Sequence, residues 1–175
     1  TQKENMVQDI LDGKVIVLTD FSNQIIAVDI LKFPTRTPSE PPTSPVIQGP
    51  REGFVEDLQT NITLLRRRIK SENLVLDVVK VGSETQTKVC ITYLEGVVNK
   101  KIIKKVKEKI SQIKIDGIID SYYILSFLED RPNSLFKQIG NSEKPDIVAS
   151  KLLEGRVAII VDNSPIVLTV PFVFI

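Results

Sequence analysis

The chain has 175 residues, of which 42% are hydrophobic and 26% are charged, and its formal net charge is +1. A chain of this size can bury a real core, but its balanced charge gives no overall attraction for nucleic acid or anionic lipid. The absence of histidine removes the commonest metal ligand and acid–base catalyst, and the single cysteine, Cys90, excludes an internal disulfide.

The first predicted elements are a short helix and a hairpin. The helix covers residues 6–11 and is followed by a β-branched, apolar strand over residues 14–20. A second strand over residues 24–31 is expected to pair with it, with Ser22 and Asn23 in the turn.

This helix–hairpin pattern recurs near the end of the chain. The sequence LDGKVIVLTDFSNQIIAV (residues 11–28) aligns without a gap on LEGRVAIIVDNSPIVLTV (residues 153–170). A chance match between Val/Ile-rich strands is one explanation. The common order of helix, glycine, strand and aspartate turn favours an internal duplication, whose two copies are expected to share a sheet.

Residues 34–45 contain five prolines and are expected to run extended.

An amphipathic helix is predicted to begin at Pro50 and to end near Lys70, with acidic residues in its first turns and basic residues in its last. Its apolar stripe consists of Phe54, Leu58, Ile62, Leu65 and Ile69.

The middle of the chain reads strand, strand, helix, helix. The strands are predicted over residues 73–82 and 87–96. The helices are predicted over residues 99–116, with Asn99 as the cap, and over residues 120–130, with the cap at Asp120 or Ser121. The polar stretch over residues 140–146 indicates a boundary, after which Pro145 opens the helix of the second repeat copy.

These elements predict an α/β fold with two small subdomains, one of them discontinuous in sequence. Residues 1–50 plus 145–175, with the two repeat copies, are expected to form the first. Residues 51–70 form a bridging helix, and residues 71–140 form the second, inserted subdomain.

No catalytic constellation is visible. The sequence has no G-x-S-x-G elbow, P-loop or dinucleotide-binding glycine pattern, and Cys90 lies in an apolar strand that predicts a buried, inert thiol. Asp20 and Asp162 fall in predicted turns, where an aspartate side chain commonly accepts hydrogen bonds from the nearby backbone. We therefore expect no enzymatic activity, no cofactor and no metal site.

The helix after Asn99 is rich in lysine. One interpretation is a solvated outer face, and the other is contact with phosphate groups of a membrane or nucleic acid, or with a partner. The lysines are Lys100, Lys101, Lys104, Lys105, Lys107 and Lys109.

Arginines flank the predicted bridging helix at both ends. Arg66, Arg67 and Arg68 point in three directions, because successive helical residues are about 100° apart, so at least one needs a partner near the apolar face. Arg51, between Gly49 and Gly53, suits either an anion site or an internal ion pair that holds the linker onto the helix.

The segment IQGPREGFVEDLQTNITLLRRRIKSENL (residues 47–74) closely resembles the hallmark segment of the spore germinant receptor A-subunit family (GerA type). The stretches ILDGKVIVLTD, KVCITYLEGVVN and EKPDIVASKLLEGRVAIIVDNSPIVLTVPFVF extend the resemblance over nearly the whole chain. One departure is Lys144, which stands where the family has arginine in a TERPD-like stretch.

The resemblance implies a nutrient sensor rather than an enzyme. Such A subunits act with B and C subunits in the inner membrane of dormant spores, detect amino acids, sugars or other germinants such as ions, and trigger ion release. This chain is then expected to be a soluble, cytosolic-side domain of a longer protein, anchored through membrane segments outside it. Its two subdomains are expected to enclose a cleft.

If the cleft closes on a nutrient, the resemblance and the residue pattern together predict seven residues that line it. The arginine cluster (Arg66, Arg67 and Arg68) is expected to be a structural or partner contact. No nucleic acid is expected. The alternative function is a basic module that docks on anionic membrane, nucleic acid or a partner subunit. The seven residues are Asp20, Gly49, Arg51, Glu52, Gly53, Asn61 and Asp162.

Overall fold

The computed structural model describes residues 52–129 and 138–172, together with helical residues 6–7 and 9–10 and an N-terminal hairpin. The strands are β1 (Lys14–Thr19), β2 (Ser22–Asp29), β3 (Leu74–Val81), β4 (Thr87–Leu94), β5 (Gly140–Ser142), β6 (Val157–Val161) and β7 (Val167–Val170). The longer helices are α1 (Leu58–Arg68), α2 (Lys100–Ser111), α3 (Ser121–Leu128) and α4 (Pro145–Leu153).

Five strands form one antiparallel sheet in the order β3-β4-β6-β7-β5, and β1 pairs with β2 in a second, two-stranded sheet. The β-branched residues that predicted β3, β4, β6 and β7 account for this sheet, since such side chains pack well on a pleated surface. The expected mixed α/β composition is confirmed.

Helices cover both faces of the large sheet. Side chains of α1 and α4, such as Leu65 and Leu152, pack with Cys90 and Ile160 on one face. Side chains of α2 and α3 pack with Ile91, Ile159 and their neighbours on the other. Every residue of β6 is buried, so this central strand reads as a continuous apolar run.

The expectation that the two repeat copies share a sheet is wrong. β1 pairs with β2, whereas β6 lies between β4 and β7. The physical reason is that β4 and β7 occupy both edges of β6, which leaves no backbone hydrogen bonds for β1. The assignment of residues 1–50 with 145–175 to one subdomain and of 71–140 to another stays a prediction, without a common sheet to support it.

The helix predicted from Pro50 begins later, at Leu58. Residues 52–57 are not helical, and Asp57 is the N-cap: its carboxylate accepts hydrogen bonds from the backbone N–H and the hydroxyl of Thr60. Capping hydrogen bonds compete with a further helical turn. The acidic residues thus precede the helix, while the three arginines occupy its last turn as predicted.

Several other boundaries shift. Ser22 and Asn23, which were predicted in the hairpin turn, lie in β2, where Ser22 pairs with Thr19. The strand β5 lies in the stretch expected to be only a polar boundary, and α2 ends at Ser111 rather than at residue 116. The predicted caps of α2 and α3, Asn99 and Asp120, are confirmed, as is the start of α4 at Pro145.

A matched pair of glycines tests the close approach of the turn between α4 and β6 to the backbone of Val97. Gly155 has a φ of +82°, and an added Cβ would lie 2.9 Å from the carbonyl oxygen of Val97; Gly96 has a φ of +85° and open space around it. We expect Gly155→Ala to cost about 2–4 kcal/mol, since it adds a backbone clash to left-handed strain, and Gly96→Ala about 1–2 kcal/mol. Urea unfolding measures both, and equal losses would contradict the clash.

Candidate functional site

The segment from Glu52 to Asp57 directly precedes α1 and is held by ion pairs at its start. The Glu52 carboxylate accepts from Arg67 Nη1 at 3.1 Å and from Arg68 Nη2 at 2.6 Å, and Arg68 Nη1 also donates to the Leu64 carbonyl at 3.1 Å. The spacing predicts that at least one of the three arginines needs a carboxylate or carbonyl partner, and the half-buried Arg68 has both.

Asn61 fixes the middle of the same segment. Its side chain is fully buried, its Oδ1 accepts from the Val55 N–H at 2.8 Å, and its Nδ2 donates to the Val55 carbonyl at 2.5 Å. The amide thus satisfies both backbone groups of a residue that has no strand partner. This is the contact of a structural asparagine.

The segment is also bonded to parts of the chain that are distant in sequence. The Phe54 N–H donates to the Glu143 carbonyl at 2.8 Å, and the Asn163 N–H donates to the Glu56 carbonyl at 2.8 Å. Asp162 Oδ1 accepts from the Leu58 N–H at 3.1 Å, so the turn between β6 and β7 helps to cap α1. One short segment therefore joins α1, the start of α4 and the β6–β7 turn.

The structure brings four of the predicted cleft residues into this one region: Glu52, Gly53, Asn61 and Asp162. Gly53 is buried, and the other three make the internal contacts described above. Asp20, Gly49 and Arg51 lie outside the described residues.

The described region also holds a groove that the sequence did not suggest. It has a volume of about 690 Å³ and lies between the edge strand β3 and the C-terminal half of α2. Its apolar floor includes Val79, Val81, Ile91, Ile110 and Ile113. Its polar groups include Asp77, Lys80, Lys107, Ser111, Lys114 and Asp116.

A cation and an anion meet at one end of this groove. Lys107 Nζ lies 2.6 Å from Asp77 Oδ2 and 5.8 Å from the centre of the Tyr93 ring. The hydrogen bond to Asp77 is the main reason that the pKa of Lys107 is raised, with burial opposing the shift. At the other end, the Ser83 hydroxyl donates to Asp116 Oδ1 at 3.1 Å.

The helix α2 carries lysine where its dipole disfavours it. Lys100 and Lys101 lie in the first turn, which has no acidic residue, and a cation at an exposed helix N-terminus costs about 0.3–1 kcal/mol. Asn99 offsets part of this by accepting the Lys101 N–H at 2.9 Å. These two lysines are therefore not explained by the stability of the helix.

Cys90 is fully buried among apolar side chains, and burial raises the pKa of its thiol to about 12. The prediction of a buried thiol is confirmed. Within the described ranges no group of three acidic, histidine or cysteine side chains could hold a metal ion, and no helix there is long and apolar enough to cross a bilayer.

Comparison with known proteins identifies the family. The family model described as Bacillus/Clostridium GerA spore germination protein matches residues 1–175. Spore germination protein KA of Bacillus subtilis (strain 168) is 37% identical over 172 residues, which are 98% of this chain and 32% of the relative. Spore germination protein A1 of the same organism is 38% identical over 165 residues, 94% of this chain and 34% of the relative.

The same similarity extends to a solved structure. The crystal structure of the N-terminal domain of the A subunit of the Bacillus megaterium spore germinant receptor GerK3 matches with a TM-score of 0.69 and 32% identity, over 98% of this chain and 61% of that one. The chain spans about one third of the length of the curated relatives it matches. This chain belongs to the GerA family of Bacillus and Clostridium spore germination proteins, and it resembles the N-terminal domain of a germinant receptor A subunit.

Proposed function

We propose that this chain takes part in nutrient sensing and relays the signal that triggers spore germination, as a domain of a receptor A subunit. The observation that carries the proposal is the set of hydrogen bonds made by the segment from Glu52 to Asp57, which lies within the family's hallmark sequence. This segment connects α1 to the β6–β7 turn and to the start of α4.

A segment that connects these three elements is suited to relaying a signal between them. Because Asp162 caps α1 and Glu56 receives the Asn163 N–H, a displacement of the β6–β7 turn is transmitted to the start of α1. Glu52 couples the same segment to the other end of α1 through Arg68. Coupling of this kind needs a contiguous chain of packed and hydrogen-bonded groups.

The internal contacts of Glu52, Asn61 and Asp162 favour an architectural role for these residues over contact with a nutrient. We place a small nutrient in the β3–α2 groove instead. Its volume of about 690 Å³ suits a small ligand, and it combines an apolar floor with a few polar groups. The paired Lys107 and Asp77 offer one partner for a carboxylate and one for an ammonium or hydroxyl group, as an amino acid or a sugar requires.

The family membership supports further proposals about the whole receptor. The chain acts as a receptor domain rather than as an enzyme, it works with B and C subunits, and the longer protein resides in the spore inner membrane with this part on the cytosolic side. Arg66 is exposed in the last turn of α1 and is available to a partner subunit.

A thermal-shift screen of amino acids, sugars and simple salts at high concentration tests nutrient binding. A ligand at about 100 times its Kd stabilises the fold by about 2.7 kcal/mol, which at this chain length raises Tm by about 5–11 °C. The variant Ser111→Trp places a large ring in the groove and is expected to abolish the shift.

Ser126→Trp is the matched control for that variant. Ser111 Oγ donates to the Glu108 carbonyl at 2.8 Å and Ser126 Oγ donates to the Tyr123 carbonyl at 2.8 Å, so both substitutions remove the same bond from an exposed helical position. A shift that survives in Ser111→Trp would place the ligand elsewhere. If no compound shifts Tm while a receptor containing the chain still responds, nutrient binding by this domain is excluded and relay remains.

A further inference from the structure

The outer face of α2 is basic. Val106 and Ile110 are buried against the sheet, and at 100° per residue the positions of Lys101 and Lys104 lie on the opposite side of the helix. Lys100, Lys101 and Lys104 are all exposed. Two acidic residues lie near them: Glu108, 3.8 Å from Lys104, and Glu95, which lines the same surface depression as Lys100 and Lys104.

The neighbouring helix α3 exposes large apolar side chains. Tyr122, Tyr123 and Phe127 are 54%, 43% and 41% exposed, and Ile119, just before the helix, is 69% exposed. The same helix already buries Ile124 and Leu128 toward the sheet. It therefore carries apolar side chains on its outer side as well, and the part of the chain that the structure describes leaves them largely exposed.

The two helices form one continuous layer. They contribute side chains to the same core on the same face of the sheet, and Lys109 Nζ donates to the Leu128 carbonyl at 2.7 Å. The lysines of α2 and the aromatic and aliphatic residues of α3 thus lie on two helices that cover the same face of the sheet. We call this side the α2–α3 face and define it by Lys100, Lys101, Lys104, Ile119, Tyr122 and Phe127.

We propose that the α2–α3 face docks on an anionic lipid bilayer. Lysines attract acidic headgroups, while tyrosine, phenylalanine and isoleucine side chains enter the boundary between headgroups and acyl chains. The pattern is local, because the whole chain carries a net charge of only +1.

Lipid fits this face better than nucleic acid does. Binding of single strands needs aromatic rings set along the basic track, whereas here the rings lie on a separate helix. Ile119, the most exposed of the four apolar residues, offers nothing to a base but can insert among acyl chains. If the lysines only formed a solvated outer face, the exposure of Ile119 would also be left without an explanation.

Flotation with phosphatidylcholine vesicles, with and without phosphatidylglycerol, tests the proposal. The chain is expected to bind only the vesicles containing phosphatidylglycerol, and more weakly as salt is raised. Each lysine contributes about fivefold, so the triple variant Lys100→Gln/Lys101→Gln/Lys104→Gln should bind about 100-fold more weakly. Tyr122→Ser/Phe127→Ser should lose the binding that persists at high salt.

The matched control is Lys70→Gln/Lys80→Gln/Lys88→Gln, which removes the same charge from exposed lysines outside the layer of α2 and α3. It is expected to bind nearly as well as the unchanged chain, and circular dichroism melting establishes that every variant is folded. Equal losses in the two triple variants would reduce the effect to net charge and overturn the proposal. It is overturned as well by absent binding to anionic vesicles, or by tighter binding to an oligonucleotide than to them.

Discussion

Replacing Asn61 by alanine is expected to lower the free energy of unfolding by about 3 kcal/mol. The Asn61 amide accepts from the Val55 N–H at 2.8 Å and donates to the Val55 carbonyl at 2.5 Å, and its side chain is fully buried. Alanine leaves both backbone groups of the half-buried Val55 without these partners, and each polar group that water does not reach then costs about 1–3 kcal/mol. The same loss releases the segment that connects α1 to the β6–β7 turn.

Urea unfolding and thermal melting of the variant measure this effect, and at this chain length the expected fall in Tm is about 6–12 °C. Asn73→Ala is the matched control, because Asn73 lies in an exposed turn and its substitution should stay within about 0.5 kcal/mol. If Asn61→Ala melts like Asn73→Ala while germination by a receptor carrying it is lost, Asn61 contacts a ligand or subunit instead.

The second large effect concerns the chemistry of Cys90. With a pKa of about 12 instead of 9.0, its thiol has about 1,000-fold less thiolate near neutral pH, and only the thiolate reacts with iodoacetamide. We expect native labelling at least about 1,000-fold slower than labelling of the same chain in denaturant. Mass spectrometry over time measures both rates, and comparable rates would show that the strand β4 opens readily.

The raised pKa also has a consequence for stability. Burial disfavours the thiolate in the folded chain, so the contribution of Cys90 is intact below pH 9 and is lost as the pH rises toward about 12. Other groups titrate in this range, and the variant Cys90→Ala therefore serves as the reference. The stability of the natural chain should fall more steeply with pH than that of the variant, and parallel curves would contradict the assigned burial of the thiol.

Local features of the sequence were sufficient for most elements. Apolar periodicity and β-branched runs located α1 to α4 and the strands β3, β4, β6 and β7, and the caps at Asn99 and Asp120 followed from side chains that compete for nearby backbone N–H groups. The burial of Cys90 followed from the apolar strand around it. The long hallmark segment was specific enough to indicate the family, which the family model confirms over the whole chain.

Only the tertiary structure decided which of these elements meet. Nothing in the repeat shows that β6 pairs with β4 rather than with β1, because both are apolar strands with similar pairing potential. The carboxylate that pairs with Arg68 is Glu52, and the groove exists because β3 lies at the edge of the sheet.

The start of α1 shows how a contact between distant residues decides a helix boundary. Proline at position 50 predicted the helix there, yet the Leu58 N–H is bonded to Asp162, 104 residues away. Sequence patterns report interactions within a few residues, such as caps and faces. Strand partners, ion pairs and grooves depend on contacts between distant residues, which form only when the whole core packs.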